Sequence, residues 1–174
     1  MGHPSGWTTT ERLLDSGAFE SVQRAIVSEP AVEASHAGAQ WLGVAYWRAV
    51  REATHGAVRA TWSGKGGRLR LLGGPALLRF GRPELTHADG LVSCSYAIEG
   101  GLLALRAGGT VTLEQRRRGN VHELSVHVSG YLPRLAPPAG WPRWAGVLYA
   151  RGQQPFHAAV SRRYFELVAR RIPA

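Results

Sequence analysis

Between residues 57 and 131 the chain alternates apolar and polar side chains in short runs, and the runs are separated by turns built largely on glycine. AVRATWS (57–63) and RLRLL (68–72) flank Gly64-Lys65-Gly66-Gly67, and Gly73-Gly74-Pro75 precedes ALLRFGRPEL. His87-Ala88-Asp89-Gly90 leads into LVSCSYAIEGGLLAL, Gly108-Gly109 into TVTLEQRRR, and Gly119-Asn120 into VHELSVHVSGY. A period of two sends successive side chains to opposite faces of a strand. Turns this short can join only antiparallel neighbours. The segment therefore predicts a six-strand meander, with a bulge at Gly100-Gly101 where the missing side chains let a strand kink.

The same alternation assigns the faces. Leu124, Val126 and Val128 oppose Glu123, Ser125, His127 and Ser129; Val92, Cys94, Tyr96 and Ile98 oppose Ser93, Ser95 and Ala97. Val111 and Leu113, with Gln115, oppose Thr110, Thr112 and Glu114. One face is apolar and the other wet, so the sheet is covered on one side only.

Two helical segments are available as cover. Residues 31–54 carry Trp41, Leu42, Ala45, Tyr46, Ala49, Val50 and Ala53 within one half of a helical wheel, with His36, Gln40, Arg48 and Arg51 on the other. Trp47 falls on that polar side, which raises the choice between monomer and homodimer. A strand at 21–27 precedes this helix, and residues 1–19 read as a polar extension with a short helix after Thr8-Thr9-Thr10. The Pro-rich connector LPRLAPPAGWPRW leads to QQPFHAAVSRRYFELVARR, residues 153–171. Here Phe156, Val160, Tyr164, Phe165, Leu167 and Val168 make a broad apolar arc, with Arg162, Arg163, Arg170 and Glu166 opposite. Residues 20–174 are expected to form one domain.

Net charge is +9, with Lys65 the only lysine. Arginine in place of lysine, with abundant alanine and glycine, resembles coding from a GC-rich bacterial genome. A basic balance raises the question of nucleic acid or an anionic surface. The helix arginines read more economically as a solvated stripe, because Tyr164 and Phe165, which base stacking would need, lie on the buried side. No apolar run approaches the ~20 residues of a membrane span, and the N-terminus has no secretory pattern. Cys94 is the single cysteine, so no internal disulfide forms and the cytoplasm is the expected location.

His157 and Ser161 sit one turn apart near the middle of the apolar arc, facing a sheet that offers Cys94, Tyr96 and Gln115. A histidine there is either a core residue with one satisfied hydrogen bond or an acid–base group aimed into a partly polar cavity. No phosphate-binding glycine loop, HExxH or GxSxG occurs. His122 and His127 are an odd number apart on one strand and cannot share a metal. No metal or cofactor is expected.

The order strand 21–27, helix 31–54, strands 57–131 and long helix at 153–172 resembles the START-like or SRPBCC superfamily. The resemblance implies an α+β helix-grip fold: a curved antiparallel sheet of about seven strands with the C-terminal helix across its concave face. It also implies a hydrophobic small-molecule ligand, ring-containing or polyketide- or lipid-like, between helix and sheet. The superfamily shares no catalytic motif, so the site residues follow from the faces above. They are His157 as general acid or base, Tyr96 and Ser161 as hydrogen-bond donors to a carbonyl or enolate oxygen of the substrate, and Tyr164, Phe165, Val168, Cys94, Gln115 and Val126 around the ligand. Two functions fit: cofactor-free cyclase, dehydratase or isomerase chemistry, or carriage without turnover. A basic interaction module is the third reading.

Overall fold

The computed structural model describes residues 5–134 and 157–170. The connector residues from 135 on, Phe156 and Arg171 lie outside them. Among the described residues the order is β1 (Ser5–Leu13), β2 (Phe19–Val27), α1 (His36–Ala53), β3 (Val58–Ser63), β4 (Gly66–Leu71), β5 (Ala76–Phe80), β6 (Glu84–Ala88), β7 (Leu91–Gly100), β8 (Thr110–Arg118), β9 (Val121–Tyr131) and α2 (157–169). The fold is α+β, with one open sheet in which every pairing is antiparallel. Its strand order is β1-β2-β9-β8-β7-β5-β4-β3, and β6 also pairs with β7.

The faces are those the alternation assigns. Val92, Cys94, Tyr96 and Ile98 of β7, Val111, Leu113 and Gln115 of β8, and Leu124, Val126 and Val128 of β9 are all buried. The strand count, however, is nine among the described residues rather than seven. The first addition is β1, which pairs with β2 from Ser5↔Ile26 to Leu13↔Phe19. A short helix was the expectation there. Three consecutive β-branched threonines favour extended backbone, and the free edge of β2 supplies the hydrogen-bond partners.

The second addition comes from ALLRFGRPEL, which is two strands. Phe80 pairs with Ile98, and Glu84 with Ser95, both on the same edge of β7. Pro83 has no N–H to donate, so the ladder breaks opposite Tyr96. The sheet forks at this break. One tine is β6; the other is the β5-β4-β3 wing.

Strand β7 ends at Gly100 instead of bulging on to residue 105. Gly100 and Gly101 both take positive φ, 122° and 131°, and a side chain on Gly101 would run into the backbone of Leu77 and Leu78. The two backbones approach too closely for any Cβ.

Helix α1 starts five residues later than the pattern predicts. Ser35 is its N-cap, with Oγ accepting from the Gly38 N–H at 3.1 Å. The residues before it are docked on the sheet: the N–H groups of Ala31 and Val32 donate to Gln115 Oε1 at 2.7 and 2.9 Å, and Gln115 Nε2 donates to the Val32 carbonyl at 2.7 Å. Further along, Gly43 lets α1 settle on β7, since a methyl group there would collide with the Tyr96 hydroxyl. Trp47 is not on an outward polar face. It is buried, with its ring against Trp62, Phe80 and Tyr96, because the β3–β5 wing curls up beside the helix.

Helix α2 lies beside α1 on the same side of the sheet. Tyr164 meets Tyr46 at 5.8 Å between ring centroids, Phe165 meets Trp7 of β1 at 5.3 Å, and His157 meets Phe19 of β2 at 5.7 Å. Arg162 and Arg170 are exposed. Arg163 departs from the solvated stripe: it is half-buried and bridges Glu52 of α1 and Glu166 of its own helix.

Candidate ligand-binding site

The fork produces a cavity of about 780 Å³ between α1, β3 and β6. That volume is in the range of small-molecule sites. Its floor is Cys94 and Tyr96 on β7. Trp47 from α1 and Trp62 from β3 form the walls, Leu85 and Pro83 the β6 side. The rings are mutually packed: Trp62 to Tyr96 at 5.0 Å, Trp47 to Tyr96 at 5.3 Å and Trp47 to Trp62 at 5.6 Å between centroids. At the mouth, Val44 is 55% and Trp62 41% exposed, large apolar groups left in water. Arg48, Arg51 and Arg59 complete the rim.

The floor is electrically neutral. Burial, reinforced by the neighbouring Cys94, pushes the Tyr96 hydroxyl far above the ordinary phenol range. Burial likewise raises the Cys94 thiol. Both stay protonated at physiological pH and offer hydrogen bonds, not charge. The second cavity, about 260 Å³, sits at the β3–β4 hairpin among Lys65, Arg68, Arg79 and Glu99. It is small and polar.

The residues singled out from sequence separate into two groups. Cys94 and Tyr96 line the larger cavity. Ser161, Tyr164, Phe165, Val168 and Val126 are buried where α2 meets the sheet, and Gln115 is occupied by the loop ahead of α1. His157 lies over Phe19 and lines neither cavity. Around α2 two polar atoms are buried with no hydrogen-bond partner among the described residues, the Tyr164 hydroxyl and Gln23 Oε1. Gln23, with Ser21, belongs to the inward face of β2.

Burial depresses the His157 pKa from 6.5 to about 4. The folded state therefore binds the proton less readily than the unfolded chain, and the stability this contributes is complete above pH 6.5. It is lost as pH falls from there towards 4, by up to about 3 kcal/mol. Urea titrations at pH 7.5 and pH 4.5 will show this loss, and His157→Phe will remove most of the difference.

Sequence reading missed the wall and the rim: Trp47, Trp62, Leu85, Arg48, Arg51 and Arg59. A tryptophan in a short strand of otherwise small and polar residues, RATWS, was the available signal for Trp62. The others carry none until α1 is laid against the wing.

The topology runs β2 beside β9, then strand by strand back through the meander to β3, with both helices on one face. This strand order, with both helices on one face, is the arrangement expected of a helix-grip fold. No protein-family profile and no curated protein matches the chain. Among solved structures it is similar to CalU16 from Micromonospora echinospora, at 12% identity and TM-score 0.39, covering 97% of this chain and 86% of that one. It is also similar to Ara h 8.0201, at 13% identity and TM-score 0.38, covering 92% and 98%. Cyanobacterial PsbP from Synechocystis sp. PCC 6803 is a further similar structure, at 15% identity and TM-score 0.34, covering 92% and 82%. Among the described residues no helix is long and apolar enough to cross a membrane, and no cluster of His, Cys, Asp and Glu is placed to hold a metal ion.

Proposed function

We propose that this helix-grip chain binds a hydrophobic, ring-containing small molecule in the cavity at the sheet fork, without chemical turnover. The observation that carries this reading is the aromatic patch of Trp47, Trp62 and Tyr96 lining an open cavity of about 780 Å³. Aromatic walls supply large contact area at low entropic cost, and they favour flat apolar guests. Binding is favoured over catalysis because, among the described residues, no histidine or carboxylate lines this cavity. Its two titratable floor groups are held in their protonated forms, whereas proton transfer needs a group whose pKa lies near the working pH. The acid–base role considered for His157 with Tyr96 would require a ligand that reaches both from between α2 and the sheet.

The test uses N-phenyl-1-naphthylamine, a neutral naphthalene whose fluorescence rises in apolar surroundings. The full chain is expected to bind it, and Trp62→Ala to weaken that binding at least tenfold. Trp62 is partly exposed near the edge of the sheet, so the variant should retain its far-UV spectrum. Unchanged affinity in Trp62→Ala would remove the cavity from consideration.

A further inference from the structure

Building on the reading that the fork cavity holds an apolar guest, we infer that this guest is an amphipathic anion: a rigid ring body carrying one acidic head group, which Arg48, Arg51 and Arg59 hold at the mouth. Among the described residues the lining contains three guanidinium groups and no carboxylate. The charge is confined to the rim, because the Tyr96 hydroxyl and the Cys94 thiol below it are uncharged.

The guanidinium groups are arranged to receive such a head group. Arg48 donates its Nε to Glu52 Oε1 at 2.8 Å, and Arg59 donates its Nε to the Gly56 carbonyl at 2.9 Å. Each side chain is thereby fixed through Nε, while its Nη nitrogens have no hydrogen-bond partner among the described residues. Arg51, one turn from Arg48 on α1, has no side-chain partner at all among those residues. Guanidinium Nη groups pair with carboxylate, sulfate or phosphate oxygens through two parallel hydrogen bonds. A head group here would meet that geometry while its body reached the rings below. A guest without charge would leave three cations at an apolar mouth and use none of them. The rigid body follows from the aromatic side of the lining, where Trp47, Trp62 and Tyr96 pack with ring centroids 5.0–5.6 Å apart into one patch on which a flat ring can stack.

Two probes that share one ring system separate the head group from the body. 1-Anilinonaphthalene-8-sulfonate is N-phenyl-1-naphthylamine with an added sulfonate, and both are titrated by fluorescence against the intact chain. The sulfonate is expected to bind at least tenfold more tightly than the neutral probe. Arg51→Gln/Arg59→Gln should cut that ratio at least fivefold. Arg12→Gln, on β1 away from the cavity, controls for the overall positive charge and should leave the ratio unchanged. Equal affinities, a ratio that survives in the double variant, or an equal fall in Arg12→Gln would each overturn the head-group assignment. Failure of the neutral probe to bind would instead overturn the cavity reading beneath it. Displacement by 2-naphthoate and by decanoate tests the body: naphthoate should compete at the lower concentration, and the reverse order would overturn the rigid-ring assignment.

Discussion

Gln115→Ala lowers the stability of the fold by about 3–5 kcal/mol. Its amide satisfies two backbone N–H groups and one carbonyl in the segment that carries the chain from β2 into α1. Val32 is buried there, so water cannot replace the lost partners freely, and each unsatisfied buried polar group costs about 1–3 kcal/mol. The approach of α1 to the sheet depends on this anchor. Gln115→Glu discriminates the hydrogen bonds from the packing: it keeps the acceptor for Ala31 and Val32 but loses the donor to the Val32 carbonyl. Urea denaturation should rank wild type above both variants. A loss below 1 kcal/mol in Gln115→Ala would mean that the loop holds itself, and that Gln115 is free to serve a ligand.

Phe165→Ala should cost a comparable amount, about 3–5 kcal/mol, as expected for deleting a buried ring. Phe165 is 1% exposed and packs edge-on against Trp7 and tilted against Tyr164. It is a link between α2 and the edge strand β1, so the effect should be uneven. Amide exchange should accelerate first in residues 8–13, while β8 and β9 keep their protection. Uniform acceleration across the sheet would show that β1 does not depend on α2. Titrating the surviving folded protein with N-phenyl-1-naphthylamine adds a functional reading. Unchanged affinity places Phe165 in the packing, and a large loss places it against the guest.

These two residues illustrate how far the sequence carried. Both were placed on the inward face correctly, because the period of a strand or helix fixes direction locally. Neither partner was readable: the groups Gln115 binds lie more than eighty residues away, and the ring Phe165 meets is in a segment that looked like a polar extension. Trp47 shows the opposite failure. Its position on the wheel put it among Arg48 and Arg51, on a side that would be wet if α1 had the sheet beneath it only. The wing of β3–β5 supplies a second neighbour, and the side chain is buried between the two.

What the linear order determined was the alternation, and with it the antiparallel meander, the single apolar face and the two helices. Each of these rests on interactions within a few residues or on the pleat itself. What only the tertiary structure decided was where a guest could lie. Pro83 interrupts a ladder and splits the sheet, and Trp47, Trp62 and Tyr96 then pack together beside the fork from three different elements, with three arginines at the rim. Assembly of that patch depends on the angle between a helix and a wing that touch only after folding, and no local pattern encodes such an angle.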